Sequence, residues 1–358
     1  MAGWNLTTVS EPRIYSDLRT IQLHHPTALT IGNFDGIHRG HQALLRELRR
    51  VAAGLVGANG GAPVATGLLT FDPHPMSVLR PQIAHKLLTT PHERIQLAGA
   101  LGLDLGVIQP FTQEIAALEP ADFMRLLKQH LNLTALVVGP DFALGRNRSG
   151  NLEVLTALGR ELGYQVFVIE PVEWMERSVR SSHIRELLVD GRVEDAAELL
   201  GRRYHVTGTV VMGDRRGRQI GIPTANLQPP ADKLWPADGV YATRTWVHDP
   251  RPDPGLARLY ASVTNLGTRP TVDGMHHRFE THLLDFPAAG NDGDLYGKTL
   301  TVEFTHRLRG EKKFGGLSEL VAQIQTDIAT TRALLEPGEL DAAVDATARP
   351  FFLTADPA

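Results

Sequence analysis

The sequence predicts a chain of mixed class, α/β plus β-barrel: a doubly wound parallel sheet first, then a small antiparallel barrel with a terminal helix. Three observations lead there. The length, 358 residues, exceeds what a single core usually serves. The first half alternates short apolar runs with amphipathic stretches, the pattern of parallel strands covered on both faces. Beyond Tyr204 the texture changes to short alternating runs cut by glycine, proline and aspartate clusters.

In chain order, the apolar runs at 28–31, 64–71, 105–108, 135–138 and 165–169 read as strands. Between them 41–54, 91–101, 121–131 and 152–162 carry helical spacing, and 57–63 and 139–150 read as loops. Residues 181–200 are helical, with Ile184, Leu187, Leu188, Ala196, Ala197 and Leu200 on the apolar side and a break at Gly191. The runs 205–211, 240–247, 261–265, 277–284 and 299–308 read as barrel strands, and 248–255, with three prolines, as a loop. Leu317, Leu320, Val321, Ile324 and Ile328 place a helix over 317–335 that packs on the barrel. The expected organisation is therefore a first domain over 1–186, a connector helix over 187–202, a second domain over 203–336 and a disordered tail over 337–358, in which Phe351 and Phe352 are the docking candidates.

Composition narrows the chemistry. With 42% apolar and 21% charged residues the chain is ordinary globular protein, and a net charge of −4 argues against a general nucleic-acid or anionic-membrane binder. Cys is absent, which removes disulfides, thiolate metal sites and cysteine nucleophiles. The N-terminal residues lack a basic and apolar leader pattern. The most apolar long window, 51–70, is interrupted by Asn59, Pro63 and repeated glycines. A cytoplasmic enzyme is the expectation.

Two segments handle phosphate, by different means. The run 28–31 leads straight into Gly32-Asn-Phe34-Asp35-Gly-Ile-His38-Arg-Gly40-His41. A strand, a glycine-bearing turn and a helix start offer backbone N–H groups and a positive dipole end to an anion. Histidines three apart share a helix face, which suits attack on an ATP α-phosphorus as pyrophosphate leaves. Such a pair is also a common surface or capping feature, and as a metal site it lacks a third ligand nearby. The second segment is punctuated by Gly208, Gly213, Gly217 and Gly221 and ends in Pro223-Thr224-Ala-Asn226. The spacing is not that of a Walker loop. Thr224 and Asn226 point to one side of an extended segment, where their oxygens can hold a Mg²⁺ that bridges phosphates. Pro-Thr-Ala-Asn standing alone reads as a hairpin turn with ordinary polar residues.

The first half resembles the nucleotidylyltransferases, in the form found in prokaryotic FAD synthetases. The resemblance lies in Gly32 to His41, in Thr70-Phe-Asp-Pro-His-Pro75, in Val138-Gly-Pro-Asp141-Phe-Ala-Leu-Gly145 and in Ser181-Ser182-His-Ile-Arg185. It implies an ATP site with His38 and His41 as catalytic residues and Gly32, Phe34, Asp35, Gly40, Asp141, Ser181, Ser182 and Arg185 as nucleotide contacts. Without it, Ser181-Ser182 reads as a helix cap and Asp141 as a turn former. Arg180 departs from the family pattern, since it stands where the relatives' first serine falls. The second half resembles the riboflavin kinase barrel, through 208–227, Asn265-Leu-Gly-Thr-Arg269-Pro-Thr271, Phe279-Glu280-Thr-His-Leu-Leu-Asp-Phe286, Asp294-Leu-Tyr-Gly-Lys298 and Arg307 to Phe314.

That resemblance implies Glu280 as general base, Thr224 and Asn226 at the nucleotide–Mg²⁺ site, and Gly213, Gly217, Gly221, Pro223 and Arg269 around ATP and flavin. Thr281 should face the other side of its strand, and His282 the same side as Glu280. Together the motifs resemble the prokaryotic bifunctional riboflavin kinase/FMN adenylyltransferase family, which implies phosphorylation of riboflavin to FMN and then adenylylation of FMN to FAD. The implied partners are the small molecules riboflavin, FMN and ATP, with Mg²⁺ as cofactor, and neither nucleic acid nor membrane. Two rivals share the motifs: a nucleotidylyltransferase for another phosphate ester, and a non-catalytic flavin-binding regulator on the same folds. A kinase-like half that would supply FMN disfavours the first. The retained catalytic groups, and no basic recognition helix, disfavour the second.

Overall fold

A computed structural model describes residues 11–57, 61–170, 173–174, 177–213, 217, 220–248, 256–271, 274–287, 295–335 and 343–345. The chain forms two compact units, residues 1–181 and 182–358.

The first unit holds strands β1 (Arg13–Tyr15), β2 (Thr27–Ile31), β3 (Ala65–Asp72), β4 (Leu105–Pro110), β5 (Leu133–Val138) and β6 (Gln165–Val168). All pair in parallel in the order β1-β4-β3-β2-β5-β6. Helices α1 (Arg39–Leu55), α2 (Pro75–Leu79), α3 (Pro91–Ala100), α4 (Gln113–Ala116), α5 (Pro120–Leu131) and α6 (Leu152–Leu162) connect the strands. A short antiparallel pair, β7 (Glu173–Trp174) with β8 (Arg177–Ser178), follows β6.

All five residues of β2 are buried, as a strand covered on both faces requires. Leu29 and Ile31 join Leu69, Val107 and Leu136 in one core with Phe123, Met124 and Leu127 of α5 and Leu155 of α6. The alternate residues Ala28, Thr30, Leu68 and Val137 are buried on the opposite face, which α1 and α3 cover. The chain winds outward from β2 to β3 and β4, then returns to place β5 on the other side of β2. In a sheet of this kind, ligands bind at that reversal, beyond the carboxyl ends of the two strands.

The elements lie where the apolar periodicity puts them, with instructive shifts. Helix α1 begins at Arg39 rather than His41, because His38 is its cap. The three-residue edge strand β1 and the short helices α2 and α4 were not expected, being too brief to show a period.

Helix α7 (Ser181–Val189) starts on the last residue of the first unit, α8 (Val193–Leu200) follows it in the second, and the expected break falls between them at Gly191, with φ 76°. The strands are β9 (Tyr204–Val211), β10 (Ala225–Gln228), β11 (Gly239–His248), β12 (Leu256–Thr271), β13 (Gly274–Leu283) and β14 (Thr299–Arg309). Their antiparallel order β11-β14-β9-β10-β13-β12 closes through pairing of β12 with β11, which makes a barrel. Helix α9 (Leu317–Leu334) packs against β11 and β12.

A seventh strand, β15 (Ala343–Asp345), pairs with Leu256–Arg258. It falls within the segment expected to be a disordered tail; the rest of that tail, with Phe351 and Phe352, lies outside the described residues.

The barrel interior is part aromatic, part hydroxylic. The Phe304 ring centre lies 5.2 Å from Tyr241, 6.0 Å from Phe279 and 6.5 Å from Tyr204. Thr245, Ser262, Thr243, Thr264 and Thr281 form a chain of hydroxyl contacts of 2.7, 2.8, 2.8 and 2.9 Å. Threonine suits a strand, and these buried hydroxyls satisfy one another. Burial also pushes the Tyr241 phenol up to about 12. Arg307 gathers the connector: its guanidinium donates to the carbonyls of Asp190 at 2.9 Å and Asp238 at 3.0 Å. Arg309 forks onto Asp327 of α9, with Nη2 to Oδ2 at 2.8 Å.

Candidate active sites

The first candidate site grows from the carboxyl end of β2, at the reversal of strand order. The turn leaves the sheet through backbone that L side chains seldom adopt, with φ of 47° at Phe34, 95° at Gly36 and 41° at Ile37. Gly32 leaves room for the Phe34 ring, which lies 3.0 Å from where a Cβ would stand. Gly40 leaves space for the His38 ring in the same way, at 3.3 Å.

The His38 Nδ1 accepts from the backbone N–H of His41 at 3.4 Å and caps α1. With Nδ1 as acceptor, the ring proton of neutral His38 sits on Nε2. The two imidazoles stack, with centres 3.7 Å apart and planes at 15°, and the Phe34 ring stands 4.8 Å from His41. The expected shared face is therefore present, with one histidine just before the helix and one in its first turn. The pair stands at the N-terminus of α1, where N–H groups and the helix dipole can hold a phosphate.

Asp35 is turned inward, at 2% exposure. Its carboxylate accepts from the N–H groups of Leu88 at 3.0 Å and Thr89 at 2.9 Å, and from the Thr89 hydroxyl at 3.1 Å. The guanidinium of Arg94 reaches it at 3.4 Å, with both side chains sealed from solvent. Thr89 Oγ1 in turn accepts from the Gly36 N–H at 2.9 Å, and Arg94 donates to Thr70 Oγ1 at 3.2 Å. Burial lowers the Arg94 pKa, opposed chiefly by the charge of Asp35. Asp35 therefore shapes the turn from below. Thr89 and Arg94 carry no sequence signal, and Thr70 only opens a resembling segment, because their contacts to the turn bridge distant segments.

Ser181 Oγ donates to the Asp35 carbonyl at 2.8 Å. Arg180 and Ser182 are exposed, and Arg185 is half-buried on α7. Beyond the carboxyl end of β5, Asp141 is exposed in the 139–150 loop, and its carbonyl accepts from Arg148 at 2.9 Å.

The second candidate site lies on the outer surface of the barrel. Strand β10, foreseen only as an extended segment, places Asn226 directly opposite Glu280 of β13. On the other side of β13, Asn265 of β12 is the register partner of Glu280. The carboxylate is thus flanked by two asparagine positions across three strands. Phe279, Thr281 and Leu283 are buried within the barrel, so Glu280 and His282 face outward together, as alternation requires.

Glu280 is 25% exposed at its side chain and 3.4 Å from the guanidinium of Arg278. Gly213 lies close beside Asn226, whose amide occupies the place a Cβ would take. Gly217 closes a turn by accepting from the Ile222 N–H at 2.8 Å, and Gly221 has φ 75°. Pro223 and Thr224 are exposed. Residues 214–216 and 218–219 of the arch lie outside the described residues, as does Asp294. Arg269 is described at its backbone, opposite His276 at the far end of the β12–β13 hairpin. Asn265 belongs to one of the resembling segments, but only register shows that it faces Glu280, whereas Arg278 shares the face of Glu280 by strand alternation.

Comparison with known proteins agrees with this division. A family model described as FAD synthetase matches residues 20–183, and one described as riboflavin kinase matches residues 200–335. The bifunctional riboflavin kinase/FMN adenylyltransferase of Escherichia coli (strain K12) is 37% identical over 307 residues, 85% of this chain and 91% of that protein. The enzyme of the same description from Pseudomonas fluorescens is 37% identical over 317 residues, 88% of this chain and 94% of its own. A crystal structure named as a macrolide-efflux protein from Streptococcus pneumoniae matches with a TM-score of 0.77 at 28% identity, over 90% of this chain and 99% of that one. No helix among the described residues of this chain is long and apolar enough to cross a membrane.

Proposed function

We propose, from the premise that this chain belongs to the bifunctional riboflavin kinase/FMN adenylyltransferase family, a division of two ATP-dependent transfers between its two units. The family assignment selects this reading over a nucleotidylyltransferase for another ester and over a non-catalytic regulator.

In the second unit, Glu280 is the general base for riboflavin kinase. It takes the proton of the riboflavin 5′-hydroxyl as that oxygen bonds to the γ-phosphorus of ATP, and the bond to ADP breaks. The observation that carries this is the Asn226–Glu280 pairing. It sets a carboxylate beside the neutral oxygen donors of the Pro223–Asn226 segment and the close-approach glycines Gly213 and Gly217. Arg269 is assigned to flavin or nucleotide by resemblance.

Thr224 and Asn226 fit a Mg²⁺, which takes hard oxygen donors and is held mostly through substrate phosphates and water. No group of three or more His, Cys, Asp or Glu side chains forms a metal cage among the described residues. The ion would neutralise phosphate charge when bound.

In the first unit, the α1 N-terminus with Gly32, Gly40, His38 and His41 holds the ATP phosphates. A phosphate oxygen of FMN bonds to the α-phosphorus, and pyrophosphate leaves with its electron pair. The histidines offer donors to the charge that builds on the oxygens. Phe34 and Asp35 keep the turn in shape, Asp141 contacts the nucleotide, and Ser181, Ser182 and Arg185 receive the triphosphate, by resemblance to the family motif.

The test is direct. Purified chain is incubated with riboflavin, ATP and Mg²⁺, and FMN is resolved from FAD over time. FMN should appear first and FAD should follow; failure of either product to form overturns the corresponding assignment.

A further inference from the structure

We infer that His282 is a positioning residue for the kinase reaction: it clamps the peptide that enters Thr224 by donating a hydrogen bond to the Pro223 carbonyl. The inference rests on the assignment of Thr224, Asn226 and Glu280 to the kinase site.

His282 Nδ1 lies 2.7 Å from the Pro223 oxygen. A carbonyl only accepts, so Nδ1 carries the hydrogen, and the imidazole is held as a donor there. Pairing between β10 and β13 consists of Ala225 opposite Thr281 and Asn226 opposite Glu280. The backbone ladder ends there, one residue short of Thr224. Pro223 also has no N–H with which to continue it. The side chain of His282 supplies the missing rung.

The peptide between Pro223 and Thr224 is planar, so fixing its carbonyl fixes the direction in which the Thr224 N–H and Cα leave. The preceding chain is held at Ile222, which is buried and donates to the Gly217 carbonyl at 2.8 Å, but Pro223 and Thr224 beyond it are exposed. Glu280 and His282 stand two residues apart on one face of β13. A single strand therefore places the base and fixes the approach of the nucleotide-holding turn. Placement of this kind matters because small displacements of a positioning group are costly in phosphoryl transfer.

The test compares His282→Ala with His282→Asn in the full chain. An asparagine amide nitrogen stands about where Nδ1 stands and can donate to the same carbonyl. Riboflavin phosphorylation is measured against ATP at saturating riboflavin, FAD synthesis from supplied FMN serves as control, and amide exchange is followed across 222–227 without substrates. His282→Ala should raise the ATP KM about 3- to 10-fold, the usual worth of one hydrogen bond. Its kcat should stay within about 2-fold, since the base is intact. Exchange at 224–226 should quicken, FAD synthesis should be unchanged, and His282→Asn should restore both KM and exchange.

An unchanged ATP KM in His282→Ala overturns the inference. So does an asparagine variant as impaired as the alanine one, or a ~10²-fold loss in kcat at constant KM, which would make His282 a chemical participant. If the alanine variant does not fold, His282→Asn against His282→Gln carries the test, because glutamine places its nitrogen nearer Nε2. Thr224→Ala and Glu280→Gln run in parallel. If both phosphorylate riboflavin normally, the site assignment itself fails; if they are impaired and His282→Ala is not, only the clamp fails.

Discussion

Asn226 on β10 and Glu280 on β13 are direct cross-strand partners on the outer surface of the barrel. A carboxylate alone on a strand is usually solvated or paired. Here it shares its row with two asparagine positions and lies beside a strand entered from a glycine arch.

Glu280→Gln keeps the shape of the side chain and removes the base. Turnover of riboflavin to FMN should fall by ~10²–10⁴-fold, the range of a positioned acid–base group. FAD formation from supplied FMN should stay near wild type. Normal phosphorylation by this variant would make Glu280 structural.

Gly213→Ala places a methyl where the Asn226 amide already lies. The amide must rotate or the arch must move. We expect a fall of at least about tenfold in kcat/KM for riboflavin phosphorylation, from misplacement alone. Wild-type kinetics would show that the arch yields without cost.

His38→Ala combined with His41→Ala removes the stacked pair at the start of α1. FAD formation should be abolished while FMN still accumulates from riboflavin. Equal loss of both activities in a folded variant would contradict two separate phosphate sites.

Arg94→Met leaves the Asp35 carboxylate buried without its guanidinium. Removing one partner of a buried pair costs about 3–5 kcal/mol. Urea unfolding of the first unit should move to lower denaturant, and FAD synthesis should suffer more than riboflavin phosphorylation. The double variant Asp35→Asn, Arg94→Met should be less destabilised than Arg94→Met. An additive double variant would show that the two side chains do not stabilise one another.

Arg180 is exposed immediately before α7. If its guanidinium adds a charge-assisted bond to the leaving pyrophosphate, Arg180→Ser raises the ATP KM or slows FAD synthesis and leaves the kinase untouched. Unchanged adenylyltransferase kinetics would assign it to the solvated surface.

Much of this protein is written locally. The apolar runs that became β2, β3, β4 and β5, the helical spacing of α1, α5 and α9, and the glycine-bearing turn at 32–41 are readable because strand and helix periods show within a few residues. Tertiary structure alone decided the rest. The three-residue β1 is a strand only because β4 offers it a partner. Asp35 proves to be a buried keystone because Leu88, Thr89 and Arg94 arrive from another crossover of the sheet. Asn265 meets Glu280, and His282 meets Pro223, through strand register. A hydrogen bond or ion pair between distant segments has no period and no fixed spacing, so the fold must form before the sequence reveals which residues share a site.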